Sequence, residues 1–153
     1  MGLGFDVHPS APGRPLLLGG VLFEGESGLA GHSDGDVVCH SVGDALLGAA
    51  ALGDLGDHFP DDDPDTEGLA GRELLGRVVS ILGDAGFRAD GCDVTVVAHR
   101  PAVGPRRQEL RSALSRILGL DVARVSVKAT RPEGLGLSGD GIGCLAIATI
   151  VPA

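Results

Sequence analysis

The spacing of apolar and polar positions changes several times along the chain, and each change predicts an element. Leu3 to His8 reads as a short strand stopped by Pro9. The apolar triplets at Leu16–Leu18 and Val21–Phe23 flank Gly19-Gly20, the two-residue signal of a tight hairpin. A polar, glycine-rich loop is predicted from Glu24 to Ser33. Asp34 can then cap a helix on which Val38, Val42, Ala45, Leu46 and Ala49 recur at helical spacing, to about Leu52. Residues 53–66 read as an acidic loop punctuated by Pro60 and Pro64. A second helix is predicted from about Leu69 to Ala85, with Gly86 as its stop. Cys92 to Ala98 is β-branched and strand-like, His99 to Pro105 is a proline-bounded loop, and Arg106 to Leu118 is an amphipathic helix. Val125–Lys128 predicts a strand, Ala129–Gly141 a glycine-rich loop and Ile142–Val151 the last strand.

Strands and helices alternate, so the pattern predicts a sheet covered by helices, mixed rather than parallel because of the early hairpin. With 153 residues and no repeat, linker or low-complexity tail, one domain over 1–153 is expected. Its core must be aliphatic, since there are four Phe and no Trp or Tyr. The 26 glycines exceed what core packing needs and point to loops that bring backbone close to a ligand.

Twelve Lys and Arg against 21 Asp and Glu give a net charge of −9, which argues against a nucleic-acid partner. An anionic ligand would need metals and a few placed cations. Cys39, Cys92 and Cys144 form no CxxC pair and read as buried, reduced thiols. No stretch resembles a signal peptide or a membrane span, so a soluble cytoplasmic protein is expected.

Three segments could carry chemistry. Asp6 and His8 are two apart on a strand, so a carboxylate and an imidazole share a face and can meet one metal ion. His40 on the first long helix could be a third ligand, and Asp plus two His suits zinc with one position left open. The run His32-Ser33-Asp34-Gly35-Asp36 enters that helix and is equally readable as a capping segment. Residues 54–65 hold six carboxylates, readable as a solvated loop or, through Asp54, as a polyol contact.

These segments resemble the 2-C-methyl-D-erythritol 2,4-cyclodiphosphate synthase family. The resemblance rests on GFDVH at 4–8, GHSDGDVVCH at 31–40, DALLGAAALGDLGDHFPDDDP at 44–64, RELL at 72–75, DVTVVA at 93–98, VKAT at 127–130 and GLGLSG at 134–139. It implies an α+β fold, a mixed sheet with helices on one face, and a homotrimer with its sheets around a threefold axis. It assigns zinc to Asp6, His8 and His40, and a second divalent cation, Mg2+ or Mn2+, to Glu133. It places His32, Ser33, Asp54, Leu55, Gly56 and the stretch Phe59, Pro60, Asp61, Asp62 and Asp63 on the methylerythritol side. A cytidine diphosphate-type substrate would meet Ala98, His99, Arg100, Pro101, Ala102, Val103 and Gly104 of an adjacent subunit. Thr130, Pro132, Leu137 and Asp140 would extend that wall, with Lys128 and Arg100 supplying positive potential.

The chain departs from the family pattern on the phosphate-contacting and axial positions. A middle hydroxyl expected to steady the transition state is Arg131, and a common lysine is Ala102. The usual axial Arg and Glu are Asp140 and Ile142, and a nearby aromatic is Leu137. Arginine can replace a hydroxyl as a phosphate clamp, so Arg131 is assigned a catalytic role beside His32. Two other readings fit the metal set: a trimeric binding protein without turnover, and a zinc hydrolase.

Overall fold

The computed structural model describes residues 1–60, 62–64, 66, 68–136 and 140–153. Asp61 and Leu137, both expected at the site, lie outside the described residues. The main sheet holds four strands in the order β1 (Gly2–His8), β8 (Ile142–Pro152), β6 (Phe87–Ala98) and β7 (Val125–Thr130). β1 and β6 each pair antiparallel with β8, whereas β6 and β7 are parallel. The sheet is therefore mixed, but not because of the hairpin. Helix α4 (Arg107–Leu118) connects β6 to β7 and forces that pair to be parallel. The hairpin of β3 (Leu16–Leu18) and β4 (Val21–Phe23) forms a separate two-stranded sheet. Gly19 and Gly20 both have positive φ there, 60° and 76°, as this tight turn demands. A small pair, β2 (Ser10–Ala11) with β5 (Gly28–Leu29), crosses the segment expected to be loop.

One face of the sheet is covered by helices α1 (Val37–Ala49), α3 (Gly71–Asp84) and α4. Cys144, Ala146, Ala148, Val94, Val96, Val125 and Val127 point into that layer and are buried. Leu74, Leu75, Val78 and Leu82 of α3 meet them on one helical stripe. Each such Val or Leu side chain contributes about 1.5–3 kcal/mol by leaving water, so this layer is where the fold is held. The opposite face bears Leu3, Phe5 and Val7 of β1 beside Leu145 and Ile147 of β8, all exposed.

Helix α1 lies unusually close to β1. A Cβ at Gly4 would stand 1.9 Å from the Ser41 carbonyl oxygen, and one at Gly2 2.1 Å from that of Ala45. Only glycine permits this backbone contact, and it sets His40 on the helix next to Asp6 and His8 on the strand.

Helix α1 begins at Val37 and ends at Ala49, and Asp36 rather than Asp34 is its cap. The fully buried Asp36 carboxylate accepts from Val38 N and Cys39 N and also from Gly19 N and Gly20 N of the hairpin. Asp34 instead accepts from Asp36 N and, with its other oxygen, from Gly71 N at the start of α3. The tertiary donors at Gly19 and Gly20 decide which aspartate caps. All three cysteines are buried and free. Burial drives their thiols upward, Cys92 and Cys144 to about 12. Among the described residues no helix is long and apolar enough to cross a membrane.

Candidate metal centre and its cavity

Asp6, His8 and His40 converge where the last residues of β1 face the first turns of α1. Asp6 Oδ2 lies 2.8 Å from His8 Nε2 and 3.0 Å from His40 Nδ1, and the two nitrogens are 3.3 Å apart. A tetrahedral zinc ion with ligands at about 2.0–2.1 Å sets neighbouring donors about 3.3 Å apart. The three donors fit that ion after a shift of a few tenths of an ångström, and one carboxylate with two imidazoles is a zinc-type set.

Electrostatics bind the cluster tightly. Burial by itself would raise the Asp6 carboxyl, but hydrogen bonds from His40 and His8 outweigh it and hold Asp6 well below the usual range. His8 is raised, chiefly by its hydrogen bond to Asp6 and against the effect of burial.

Around the metal donors opens a cavity of about 360 Å³. His32, Ser33, Leu55, Gly56 and Phe59 line it, as expected from the sequence. His32 is exposed at its rim, while Ser33 is buried. Ser33 Oγ stands 3.0 Å from His40 Nε2 and accepts from Gly35 N at 3.3 Å. The acidic stretch folds differently from a plain loop. Residues Leu55–His58 form a short helix, α2, capped by Asp54, whose side chain accepts from Asp57 N. Asp54, Pro60 and Asp62 are exposed, Asp63 is half-buried, and none of the four lines the cavity.

Sequence reasoning overlooked Gly31, Asp44, Thr66 and Leu74, which also line it. Asp44 follows His40 by four residues on α1, a spacing that places both on one helical face and was available as a signal. Asp44 Oδ1 accepts from Leu55 N at 2.9 Å, tying α2 to α1, and burial raises its carboxyl despite that bond. Thr66 Oγ1 donates to Pro60 O and Asp63 O and so shapes the acidic segment.

The remaining expected residues gather elsewhere. His8, Ile142, Ala98 and the end of β7 share one end of the sheet, because His8 and Ala98 both pair with Ile142 and Val97 pairs with Thr130. With neighbouring strands about 4.8 Å apart, the β1 and β7 edges are about 14 Å apart. The loop after β6 runs over that end, with Pro101 and Val103 buried as anchors and His99, Arg100, Ala102 and Gly104 exposed. Thr130 at the end of β7 and Arg131 and Glu133 beyond it are exposed, Pro132 is buried, and Glu133 takes a positive φ of 50°. None of these residues lines the metal cavity. Nor does exposed Asp140, whose carbonyl accepts from Ser10 Oγ.

The cations invoked from sequence are already paired. Arg100 Nη2 lies 3.1 Å from Glu26, and Lys128 Nζ lies 2.6 Å from Asp93. Arg131 makes no side-chain hydrogen bond or ion pair among the described residues, which leaves its charge for another partner.

Known proteins share this architecture. A family model described as the YgbB family matches residues 1–152. The bifunctional enzyme IspD/IspF of Anaeromyxobacter dehalogenans (strain 2CP-C) is 51% identical over 99% of this chain and 40% of its own length. The 2-C-methyl-D-erythritol 2,4-cyclodiphosphate synthase of Symbiobacterium thermophilum is 49% identical over 98% of this chain and 97% of its own. A solved 2C-methyl-D-erythritol-2,4-cyclodiphosphate synthase in a CDP-bound form superposes with a TM-score of 0.90 at 34% identity, covering 98% of this chain and 99% of that one. The chain thus spans about 40% of that bifunctional relative and nearly all of the single-function one.

Proposed function

Because the chain belongs to the YgbB family, we propose that it is a 2-C-methyl-D-erythritol 2,4-cyclodiphosphate synthase, a phosphorus–oxygen lyase of the non-mevalonate isoprenoid route. The substrate would be 4-diphosphocytidyl-2-C-methyl-D-erythritol 2-phosphate. Its 2-phosphate oxygen attacks the β-phosphorus of the diphosphate, a new P–O bond closes the ring, and the bond to the α-phosphate breaks. CMP leaves with that bond's electron pair. The observation that carries this reading is the Asp6, His8 and His40 donor cluster on the wall of a cavity wide enough for a folded polyol phosphate.

The nucleophile is already ionised, so no general base is needed. The barrier is charge repulsion together with the entropy of ring closure. Asp6, His8 and His40 would hold Zn2+, which supplies Lewis-acid neutralisation of the diphosphate. His32 at the rim orients the 2-phosphate. Leu55, Gly56 and Phe59 close one side of the cavity and exclude water from the folded chain. Asp44, held by Leu55 N, offers its second oxygen to a substrate hydroxyl.

The cytidine half would be met by residues 98–104, Thr130 and Pro132 of a neighbouring copy, with Glu133 holding Mg2+ or Mn2+. Two features support a trimer. The metal cavity opens beside the β1 edge, whereas the 98–104 loop and Thr130 leave β6 and β7 on the other half of the sheet, and none of them lines that cavity. The sheet face opposite the helices is apolar and exposed. Arg131, with its charge uncommitted, would clamp the diphosphate.

Turnover of the cytidyl substrate tests the reading. Cyclic diphosphate and CMP should appear in equal amounts, cease on chelation, and return on adding zinc. Binding without product, or an acyclic phosphate as product, would refute it. Light scattering at micromolar concentration should give three times the chain mass, and a monomer would refute the shared site.

A further inference from the structure

We propose that Ser33 is a positioning residue for the metal centre: when the ion is bound, its hydroxyl oxygen accepts the Nε2 proton of His40 and so keeps the Nδ1 lone pair aimed at the ion that Asp6 and His8 share. This rests on the metal reading above. A neutral imidazole carries one proton, and a ring that ligates through one nitrogen must be protonated at the other. The nitrogen of His40 facing the other two donors is Nδ1, at 3.0 Å from Asp6 Oδ2 and 3.3 Å from His8 Nε2. With the ion on Nδ1 its proton therefore belongs on Nε2, and the group 3.0 Å from Nε2 is Ser33 Oγ.

A hydroxyl can donate or accept, so by itself it need not fix a tautomer. Here the ligating nitrogen makes the choice: with Nδ1 on the ion, Nε2 carries the proton and Ser33 Oγ accepts it. Gly35 N reaches the same oxygen at 3.3 Å, and the two donors together fill both of its lone pairs.

The segment around Ser33 is itself clamped. Arg14 donates from Nη1 to Gly31 O at 3.1 Å and from Nη2 to Ser33 O at 2.5 Å, on either side of His32. Ser33 is only 8% exposed, so water is a poor substitute for its hydroxyl. The serine of the run that enters α1 would then act on the metal through His40.

The test measures zinc binding and ring protonation on the full chain. In Ser33→Ala, zinc affinity by chelator competition should fall about 10–100-fold, as for loss of other groups that orient a metal ligand. Ser33→Thr, which keeps the hydroxyl, should stay within a few-fold of wild type. In 15N-histidine spectra the zinc-loaded wild-type His40 ring should carry its proton on Nε2, and in zinc-loaded Ser33→Ala that proton should exchange with solvent faster. Unchanged zinc affinity in Ser33→Ala together with an unchanged exchange rate of the His40 Nε2 proton would overturn the proposal. So would a wild-type His40 protonated at Nδ1 in the zinc-loaded protein, a result that needs no variant. Failure of the metal reading looks different: wild type itself would take up no zinc, or His40→Ala would keep full occupancy.

Discussion

The two loop regions at one end of the sheet are built on opposite principles. At the β1 edge, three candidate metal donors sit within about a hydrogen bond's length of one another, with Ser33 Oγ behind His40 and Val7 N on Asp6. At the β7 edge, Thr130, Arg131 and Glu133 stand exposed, and Glu133 holds a positive φ. The first region has its three-donor set supplied by its own chain. The second is shaped by buried Pro101, Val103 and Pro132 but presents side chains outward. A metal site tolerates little play and is best set by rigid packing. A nucleotide wall can be delivered by assembly.

The sharpest way to break the contrast is to remove a donor from the finished side. His40→Ala should abolish stoichiometric zinc and lower turnover by at least about 10³-fold, since several kcal/mol of charge stabilisation go with the metal. Metal analysis and product chromatography check both, and circular dichroism should show the fold retained.

Next in size is the scaffold behind that donor. Asp36→Ala leaves four backbone N–H groups without their carboxylate. Denaturant unfolding should show a loss of about 3 kcal/mol or more. Asp36→Asn, which keeps one acceptor oxygen, should cost less. A loss under 1 kcal/mol in Asp36→Ala would mean that water replaces the carboxylate at this fully buried position.

On the exposed side, Arg131→Ala should lower turnover about 10²-fold with substrate affinity nearly kept, as for one preorganised electrostatic donor. Stability should not move, in contrast to Asp36→Ala. Arg131→Lys should recover only part, because a lysine cannot reproduce a bidentate contact. Unchanged turnover would make Arg131 a solvated rim residue.

The smallest effect is on pH dependence of the metal-free protein. Asp6 is lowered from 3.8, so its contribution is present above that value and lost as pH falls through the lowered one. His8 is raised from 6.5, so its contribution is present below 6.5 and lost as pH rises through the raised value. The cluster therefore stabilises the metal-free fold most between about pH 4 and 6.5. Zinc affinity should run the other way, rising with pH until His8 has lost its proton. Thermal melts with and without zinc across pH 4–9 should diverge accordingly, and parallel curves would count against the coupling.

Much of this was legible in the sequence because the signals are local. The Asp6–His8 spacing, the Gly19-Gly20 turn, the apolar stripe of α3 and the Gly86 stop each follow from a few neighbouring residues. What escaped depends on distant partners. Asp34 and Asp36 are both sound caps, and the choice between them is made by the N–H groups of Gly19 and Gly20. The pairing of Ser10–Ala11 with Gly28–Leu29 is too short to leave a periodic trace. By contrast, the origin of the sheet's mixed character, the β6–α4–β7 crossover, was readable from the predicted strand–helix–strand succession and was overlooked in favour of the hairpin. The Asp54–Asp57 capping box of α2 and the His40–Asp44 pairing on α1 were likewise readable and overlooked.

The close seating of α1 on β1 also shapes which sequences this protein can explore. Along Gly2–His8 the even positions face the helix and the odd ones face outward. Gly2 and Gly4 admit no side chain, and Asp6 and His8 admit no other function. Leu3, Phe5 and Val7 are bounded only by what covers the far face. A saturation library of this strand should therefore return a comb: even positions fixed, odd positions open to many apolar residues. Inserting one residue within it would exchange the two sets, pushing bulky side chains against the Ser41 and Ala45 carbonyls. Such a lineage could change its assembly by drift at the odd positions while its chemistry stayed locked at the even ones.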